Sequence, residues 1–225
     1  VHTLPEQRGN GFAPALLGWV ENKEKSLQTT ISMLFTDIGT EYYGRFGYRE
    51  CPSWELQLAT GDIEACWQLE QVDRREHADE LRCLYENSTR CDELVLVRDE
   101  EYWDYIFHKQ PEDLTFLVED ENGELAGYVR IRSRESEWVI QDWGLATQAD
   151  ENLTSLVLAV AAQANREGAL QLSGWMPSWP AGNPAIQFES RAGLNHTMIK
   201  FLDGSQEFSA PVLEAAQQLR EIDHV

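Results

Sequence analysis

Strand-type and helix-type segments alternate along this chain of 225 residues. Short apolar runs rich in β-branched and aromatic residues predict strands at 30–36, 53–58, 114–119, 124–131, 137–145, 169–173 and 196–202. Apolar residues at helical spacing predict helices at 12–25, 40–46, 73–86, 99–107, 150–166, 183–192 and 210–222. The alternation indicates an α/β (mixed α+β) architecture in which helices cover a mixed sheet.

The charge of the chain restricts its ligands. It has 39 acidic and 18 basic residues, which give a net charge of −21. Such a field repels a phosphate backbone and attracts small cations, so the sequence predicts no nucleic-acid partner. No stretch reaches the ~18 consecutive apolar residues that span a bilayer, so no membrane partner is predicted either. The sequence carries no signal for an oligomeric state.

The cysteines indicate a reducing compartment. Cys51, Cys66, Cys83 and Cys91 contain no C-x-x-C pair, and no secretory signal is visible. In a chain long enough to fold without disulfides we expect free thiols and a cytoplasmic protein. A zinc site from His77, Cys83 and Cys91 has suitable residue types, but its spacing fits no standard pattern. We therefore expect no bound metal.

A glycine-rich turn at residues 7–11 lies between a predicted strand end at residues 1–4 and the first helix. The N–H groups of a first helical turn are unpaired and the helix dipole is positive there, so this position suits an anion. Gly9 and Gly11 allow the backbone to approach a phosphate closely, and Arg8 adds a positive charge. The spacing matches neither a P-loop nor a dinucleotide-binding fingerprint. An ordinary structural turn is the alternative.

The sequence around this turn resembles a known acyl-CoA-binding signature. PEQRGNGFA is similar to the [QR]-x-x-G-x-[GA] motif of the GNAT N-acetyltransferases, with Arg8, Gly11 and Ala13 at its three defined positions. Further along, LFTDIG and YYGRFGY resemble that family's fifth strand and its F-Y-x-x-x-G-[FW] helix. The first 58 residues or so look most like the fungal lysine N6-acetyltransferase group. The Eis-type aminoglycoside acetyltransferases are a more distant parallel.

The resemblance implies a set of site residues. The turn would bind the diphosphate of acetyl-CoA, the co-substrate, and the strand end at residues 3–4 would run beside the pantetheine arm. Tyr43 would protonate the departing CoA thiolate, because its ordinary pKa of ~10 lies just above that of a thiol. A core aromatic beside Tyr42 and Phe46 is the alternative for Tyr43. The implied cofactor-binding residues are Thr3, Leu4, Arg8, Gly9, Asn10, Gly11, Phe12 and Ala13.

The reaction implied by the resemblance is transfer of an acetyl group from acetyl-CoA to a primary amine. The acceptor would be a small molecule, such as the side chain of free lysine or another small cationic amine, which the acidic field favours. One alternative is a non-catalytic acyl-CoA-binding or interaction protein that retains the GNAT fold. Another is a plain α/β binding module whose glycine-rich turn is structural.

The resemblance also predicts the domain organisation. Residues 1–60 would be the C-terminal part of a GNAT domain, 61–95 a connector, and 96–225 a second, degenerate GNAT-like domain. The elements that come before the turn in the family are expected to be missing from the first domain. Either the chain is a fragment, or another chain supplies the missing half.

An internal similarity supports the expectation of a second domain. The segment 42–48 aligns with 188–194, so that aromatic, Arg and Gly residues coincide. In that alignment Glu189 stands at the position of Tyr43, and the second half has no counterpart of the glycine-rich turn. We therefore expect the second domain to be structural or substrate-shaping.

Overall fold

The computed structural model describes residues 3–92, 94–179, 181–191, 196–203 and 210–224. The chain divides into two compact units. The first contains residues 1–51 and 193–213, and the second contains residues 52–192 and 214–225. Each unit is therefore assembled from two separate stretches of sequence.

Helices and strands both occur throughout the described residues. The α-helices are α1 (Phe12–Ser26), α2 (Thr40–Gly44), α3 (Ala78–Thr89), α4 (Glu100–His108), α5 (Asp150–Arg166) and α6 (Ala210–Ala215). The strands are β1 (Ile31–Thr36), β2 (Arg49–Glu50), β3 (Trp54–Ala59), β4 (Gln68–Gln71), β5 (Leu114–Glu119), β6 (Leu125–Arg134), β7 (Glu137–Leu145), β8 (Gln171–Trp175), β9 (Gln187–Ser190) and β10 (His196–Phe201). Short 3-10 turns are formed by Pro5–Gln7, Ala216–Gln218 and Glu221–Asp223. The predicted α/β class with a mixed sheet is confirmed.

The first unit contains a three-stranded antiparallel sheet in the order β1–β10–β2. β10 pairs with the whole of β1 in a continuous register that begins with Ile31 opposite Phe201. Helix α1 is joined to this sheet by an ion pair of 2.6 Å between Glu21 Oε2 and Lys200 Nζ of β10. The apolar side chains of α1 are largely outside this contact, and Trp19 is 62% exposed.

The second unit contains a seven-stranded sheet in the order β4–β5–β6–β7–β8–β3–β9. Its neighbouring strands are antiparallel except for β7 and β8, which are parallel and are connected by α5. The predicted Asn-Gly hairpin joins β5 to β6, where Gly123 has φ +80°. The Asp120 carboxylate accepts the N–H groups of Asn122 and Glu124 at 2.8 and 3.0 Å and closes the turn.

Helices cover both faces of the second sheet. Val129 belongs to an apolar cluster with Leu156 and Val160 of α5, whereas its neighbour Tyr128 belongs to a cluster formed with α3 and α4. Successive side chains of a strand point to opposite faces, which separates the two clusters. Helix α3 approaches the sheet at Gly144, where a Cβ would lie 2.9 Å from the backbone of Leu84.

Two of the predicted helices have shifted or shortened bounds. The helix predicted at 73–86 is α3, which begins at Ala78 and buries Leu81, Leu84 and Tyr85 instead of lying entirely on the surface. The helix predicted at 210–222 ends at Ala215 and continues as 3-10 turns. The turn Glu221–Asp223 is closed by the N–H of Asp223, which donates to the Arg220 carbonyl at 3.1 Å, and by the Asp223 carboxylate, which accepts the N–H of Arg220 at 3.3 Å.

The helix predicted at 183–192 is wrong. Residues 187–190 form β9 instead, which pairs with β3 from Gln57 opposite Gln187 to Trp54 opposite Ser190. Pairing with a distant strand overrides the local helical pattern. The internal similarity therefore aligns a helix with a strand, and Glu189 has no structural equivalence to Tyr43; residues 192–194 of that alignment lie outside the described residues.

The strand end predicted at residues 1–4 is not present in its described part. Thr3 and Leu4 make no strand pairing, and the 3-10 turn that begins at Pro5 follows directly. The Leu4 carbonyl accepts the N–H of Gln7 at 2.9 Å, so the backbone bends here instead of extending. Residues 1–2 lie outside the described residues.

The compact units follow boundaries other than those predicted at residues 60 and 95. The segment 61–95 contributes β4 and α3 to the second unit. β3 lies in the seven-stranded sheet, although it was expected in the first domain, and β10 lies in the first unit, although it was expected in the second. Strand pairing between segments that are distant in sequence accounts for both differences.

The described residues contain neither a candidate membrane span nor a candidate metal-binding cluster. None of their helices has both the length and the apolar character that crossing a membrane requires. Among the same residues, no group of three or more His, Cys, Asp or Glu side chains is arranged to hold a metal ion.

Candidate functional site

A pocket of about 600 Å³ lies in the first unit beside the N-terminus of α1 and α2. Its lining comes from the glycine-rich turn, the first turns of α1 and the segment that leads into α2. The lining residues are Thr3, Gln7, Arg8, Gly9, Gly11, Phe12, Ala13, Pro14, Leu17, Ile38, Tyr42 and Tyr43. The pocket therefore combines apolar walls with a polar turn.

The glycine-rich turn presents unpaired backbone N–H groups. Gly9 and Gly11 have φ of +85° and +78°, a conformation that favours glycine. The first hydrogen bond of α1 runs from the N–H of Ala15 to the carbonyl of Gly11 at 3.1 Å. Among the described residues, no acceptor takes the N–H groups of residues 9–13. The turn thus offers several donors at the positive end of a helix dipole.

Arg8 adds a cation at the same place. Its Nε donates to the Thr3 carbonyl at 3.3 Å, which holds the side chain against the preceding backbone. It is the one charged side chain among the described residues that line the pocket. An anionic ligand would therefore meet a guanidinium and a helix N-terminus together.

Tyr43 lies on α2 in a group of aromatic rings. Its ring contacts Tyr42 edge-on at a centroid distance of 5.0 Å and Tyr48 at 6.1 Å. Its hydroxyl has no hydrogen-bond partner among the described residues, and its ring lines the pocket. Partial burial, and to a lesser degree the nearby Tyr42, raise the pKa of Tyr43 above its ordinary value. Tyr43 therefore presents a protonated hydroxyl over the whole neutral range.

Solved structures share this architecture. A protein of unknown function from Enterococcus faecalis, described as a "probable N-acyltransferase", superposes with a TM-score of 0.70 at 16% identity, over 90% of this chain and 53% of its own. A GCN5-related N-acetyltransferase (GNAT) from Anabaena variabilis gives 0.68 at 20% identity, over 90% and 53%. The chain has the GNAT fold.

A third structure with the GNAT fold, from Kribbella flavida, is similar with a TM-score of 0.63 at 15% identity, over 89% of this chain and 50% of its own. This chain therefore spans about half the length of the GNAT structures that it matches. No protein-family model and no curated protein matches the sequence.

The predicted site residues come together in the pocket with two exceptions. Those that line it are Thr3, Arg8, Gly9, Gly11, Phe12, Ala13 and Tyr43. Leu4 is not among the lining residues, and its side chain is largely exposed. Asn10 is not among them either, because its Nδ2 turns back to donate to the Gln7 carbonyl at 3.2 Å. The ligand roles of all these residues stay predictions.

Sequence reasoning missed most of the apolar wall. Pro14, Leu17, Ile38 and Tyr42 line the pocket, together with the polar Gln7. Pro14 and Leu17 lie three residues apart, which places them on one side of α1 above the turn, so the helical spacing held the signal for this pair. Ile38 follows β1 in a loop, and no periodic pattern marks it.

In the described part of the second unit, no comparable glycine-rich turn precedes helix α5. Helix α5 follows β7 through residues 146–149, which contain no glycine. Its first turn carries Asp150 and Glu151, whose carboxylates interact favourably with the helix dipole. The same two charges repel a phosphate from this helix N-terminus.

Proposed function

We propose that this chain carries the acyl-CoA-binding part of an N-acetyltransferase. Its reaction would transfer the acetyl group of acetyl-CoA to a primary amine, such as the side chain of free lysine or another small cationic amine. The observation that carries the proposal is the run of unpaired N–H groups at residues 9–13, in a pocket that Arg8 and Tyr43 also line. The GNAT fold of the chain supports acyl transfer as its general chemistry.

The turn would hold the diphosphate of acetyl-CoA. Backbone donors are suited to this because they add no side-chain bulk. Apart from the adjoining residues, no atom lies within 4 Å of the positions where Gly9 and Gly11 would carry a Cβ. Arg8 supplies the local positive charge that a diphosphate needs in a chain of net charge −21. The apolar walls at Pro14, Leu17 and Ile38 suit the less polar pantetheine arm.

Tyr43 is the group that we assign to the leaving thiolate. Bound acetyl-CoA supplies the activated acetyl group through its thioester. As the amine nitrogen bonds to the acetyl carbon, the C–S bond breaks and the sulfur keeps the electron pair. The Tyr43 hydroxyl donates a proton to that sulfur, and its raised pKa keeps the proton present at neutral pH. The proton that the attacking nitrogen releases passes to solvent, from which the Tyr43 phenolate is reprotonated.

The second unit would have a structural or substrate-shaping role and would not bind acyl-CoA. Support comes from the first turn of α5, where the negative charges of Asp150 and Glu151 would repel a phosphate. A second, degenerate GNAT-like domain, predicted at residues 96–225, is part of this proposal, although the compact second unit begins at residue 52. The cytoplasmic location belongs to the proposal as well.

Calorimetric titration with acetyl-CoA tests the site directly. We expect micromolar binding to the unmodified chain and a loss of at least about 10-fold in Gly11→Glu, because a carboxylate would enter the anion site. Gly123→Glu is the matched control, since Gly123 has φ +80° and equally open surroundings, but lies in the hairpin of the second unit. Equal affinities of Gly11→Glu and the unmodified chain would refute the phosphate site.

Non-catalytic acyl-CoA binding is the second candidate, and one observation favours it. Among the described lining residues, none carries a carboxylate or an imidazole that would take the proton of the attacking amine. The two candidates differ in the release of free thiol from acetyl-CoA with a panel of amines that includes lysine. Release that depends on Tyr43 supports the enzyme, whereas tight binding without release supports the binding protein.

A further inference from the structure

Tyr48 lies directly behind Tyr43, on the side away from solvent. Its side chain is 2% exposed, and its ring meets that of Tyr43 edge-on at 6.1 Å with an interplanar angle of 73°. Its backbone N–H also donates to the Tyr43 carbonyl at 3.3 Å. Tyr48 is therefore in contact with both the ring and the backbone of the proposed proton donor.

The hydroxyl of Tyr48 is anchored to the sheet. It lies 2.7 Å from the Oγ of Ser32 in β1, a hydrogen-bond distance. Burial raises the pKa of Tyr48, so this hydroxyl stays protonated and the bond to Ser32 persists through the neutral range. The ring of Tyr48 thus has a fixed position relative to β1.

An ion pair connects Tyr48 to the helix that carries the anion turn. The ammonium of Lys200 in β10 lies 5.6 Å from the centre of the Tyr48 ring, within cation–π range. The same ammonium pairs with Glu21 Oε2 of α1 at 2.6 Å. Elements α1, β1 and β10 therefore all meet around Tyr48, and α2 rests against it through Tyr43.

We propose that Tyr48 is a positioning residue, which fixes the Tyr43 ring relative to the anion-binding turn of α1. The inference rests on the proposed function for the role of Tyr43, but it makes a separate claim about geometry. Catalysis is sensitive to displacements of about 1 Å, so the placement of a proton donor needs a rigid support. Ser32, Lys200 and Glu21 connect that support to the elements which form the pocket.

Fluorine NMR of the chain labelled with 3-fluorotyrosine tests the geometry without any activity. The Tyr43 resonance is assigned by its loss in Tyr43→Phe. We expect Tyr48→Phe and Ser32→Ala each to shift or broaden this resonance, because both remove the Ser32–Tyr48 hydrogen bond. Tyr85→Phe is the matched control, since it removes a buried hydroxyl that donates to the Leu96 carbonyl at 2.8 Å in the second unit. An unchanged Tyr43 resonance in Tyr48→Phe and Ser32→Ala overturns the inference.

Thiol-release kinetics separate this inference from the proposed function. We expect Tyr48→Phe to lower kcat by about 10-fold with an unchanged KM for acetyl-CoA, and to have no further effect in the Tyr43→Phe background. A full additional loss in the double variant would contradict action through Tyr43. If Tyr43→Phe itself leaves turnover unchanged, the catalytic proposal fails, and the NMR result still decides whether Tyr48 positions Tyr43.

Discussion

Tyr43 has a raised pKa, and this sets an expected pH dependence. A phenol that donates a proton loses this ability only as the pH rises through its pKa, which for Tyr43 lies above the ordinary value of ~10. In the proposed reaction the amine acceptor, in contrast, must lose a proton before it attacks. We therefore expect kcat to increase from about pH 6 to about pH 10 without a decline.

The same experiment with Tyr43→Phe provides the comparison. We expect kcat to fall by about 10²-fold at every pH, because general acid catalysis contributes at least this much. Binding of acetyl-CoA should be unchanged by calorimetry, since the turn is intact. If the kcat of the unmodified chain declined near neutral pH, a group other than Tyr43 would be supplying the proton.

Glu221 gives a second pH-dependent prediction, this time for stability. Burial raises its pKa above the ordinary value, and a nearby Glu55 adds to the effect, against the influence of Gln141, Arg132 and Arg134. The folded state therefore binds the proton of Glu221 more tightly than the unfolded state, and ionisation of this group lowers stability as the pH rises. Glu221→Gln removes that cost.

Urea unfolding at two pH values measures the effect of Glu221→Gln. We expect the variant to be more stable than the unmodified chain at pH 7 and to lose this advantage at acid pH, where Glu221 is protonated in both states. Glu64→Gln, at an exposed position in the loop between β3 and β4, serves as the control. If Glu221→Gln raised the stability equally at both pH values, ionisation of the buried Glu221 would not be the cause.

At the scale of single residues, the sequence identified the residues of the glycine-rich turn but not the side chains around them. The spacing of Arg8, Gly11 and Ala13 was visible because a helix N-terminus and its donors are local features. The contacts of Tyr48 with Ser32 and Lys200 were not visible, because they depend on side chains that meet only after β1 and β10 have paired.

The C-terminal 3-10 turn, Glu221–Asp223, holds a buried charge in the second unit. Arg98 makes two hydrogen bonds of 3.0 and 3.2 Å to Asp223 and two of 2.8 and 3.0 Å to Asp142. All three side chains are almost fully buried. Lys109 also donates to the carbonyl of Ile222 at 2.8 Å. The turn therefore closes the α3–α4 side of the second sheet.

Removing one acidic side chain from this buried cluster should lower the free energy of unfolding of the chain. We expect Asp223→Ala to destabilise the chain by about 3–5 kcal/mol, because it leaves the Arg98 charge buried with one carboxylate instead of two. Urea unfolding measures the change. Asp79→Ala is the control, because Asp79 pairs with Arg82 at 3.7 Å with its own side chain 96% exposed, and it should change stability little. Equal effects of the two substitutions would refute the role of the buried cluster.

At the element scale, local signals predicted the bounds well where local forces decide them. The strand 137–145 and the helix 150–166 have the predicted bounds, since the first is an apolar run and the second a long periodic pattern that ends before Gly168. The failure at 183–192 has a different cause. Phe188 packs against Trp179 at a centroid distance of 4.7 Å, and this strand is stabilised by pairing with β3.

At the scale of the whole molecule, the resemblance predicted the GNAT fold, but the sequence did not show which distant strands pair. β10 follows most of the second unit in sequence and pairs with β1, about 165 residues earlier. β3 precedes most of the second unit and lies between β8 and β9. Hydrophobic periodicity reports whether a segment is a strand, but it does not report which strand is its partner.

The net charge of −21 predicts how the salt concentration changes the affinity of the chain for charged ligands. Acetyl-CoA is a multiple anion and is repelled at long range by this field, whereas the hydrogen bonds of the turn act only at contact. Salt at 0.1 M screens charges beyond ~10 Å, so it weakens the repulsion more than the contacts. We expect the affinity for acetyl-CoA to be equal or higher at about 0.15 M salt than at about 0.01 M, and the affinity for a cationic amine to decrease.

Calorimetry at the two salt concentrations measures both affinities. The uncharged S-acetylpantetheine is the control, and its affinity should not change with salt. A decrease for acetyl-CoA would mean that Arg8 and the helix dipole outweigh the overall charge even at long range.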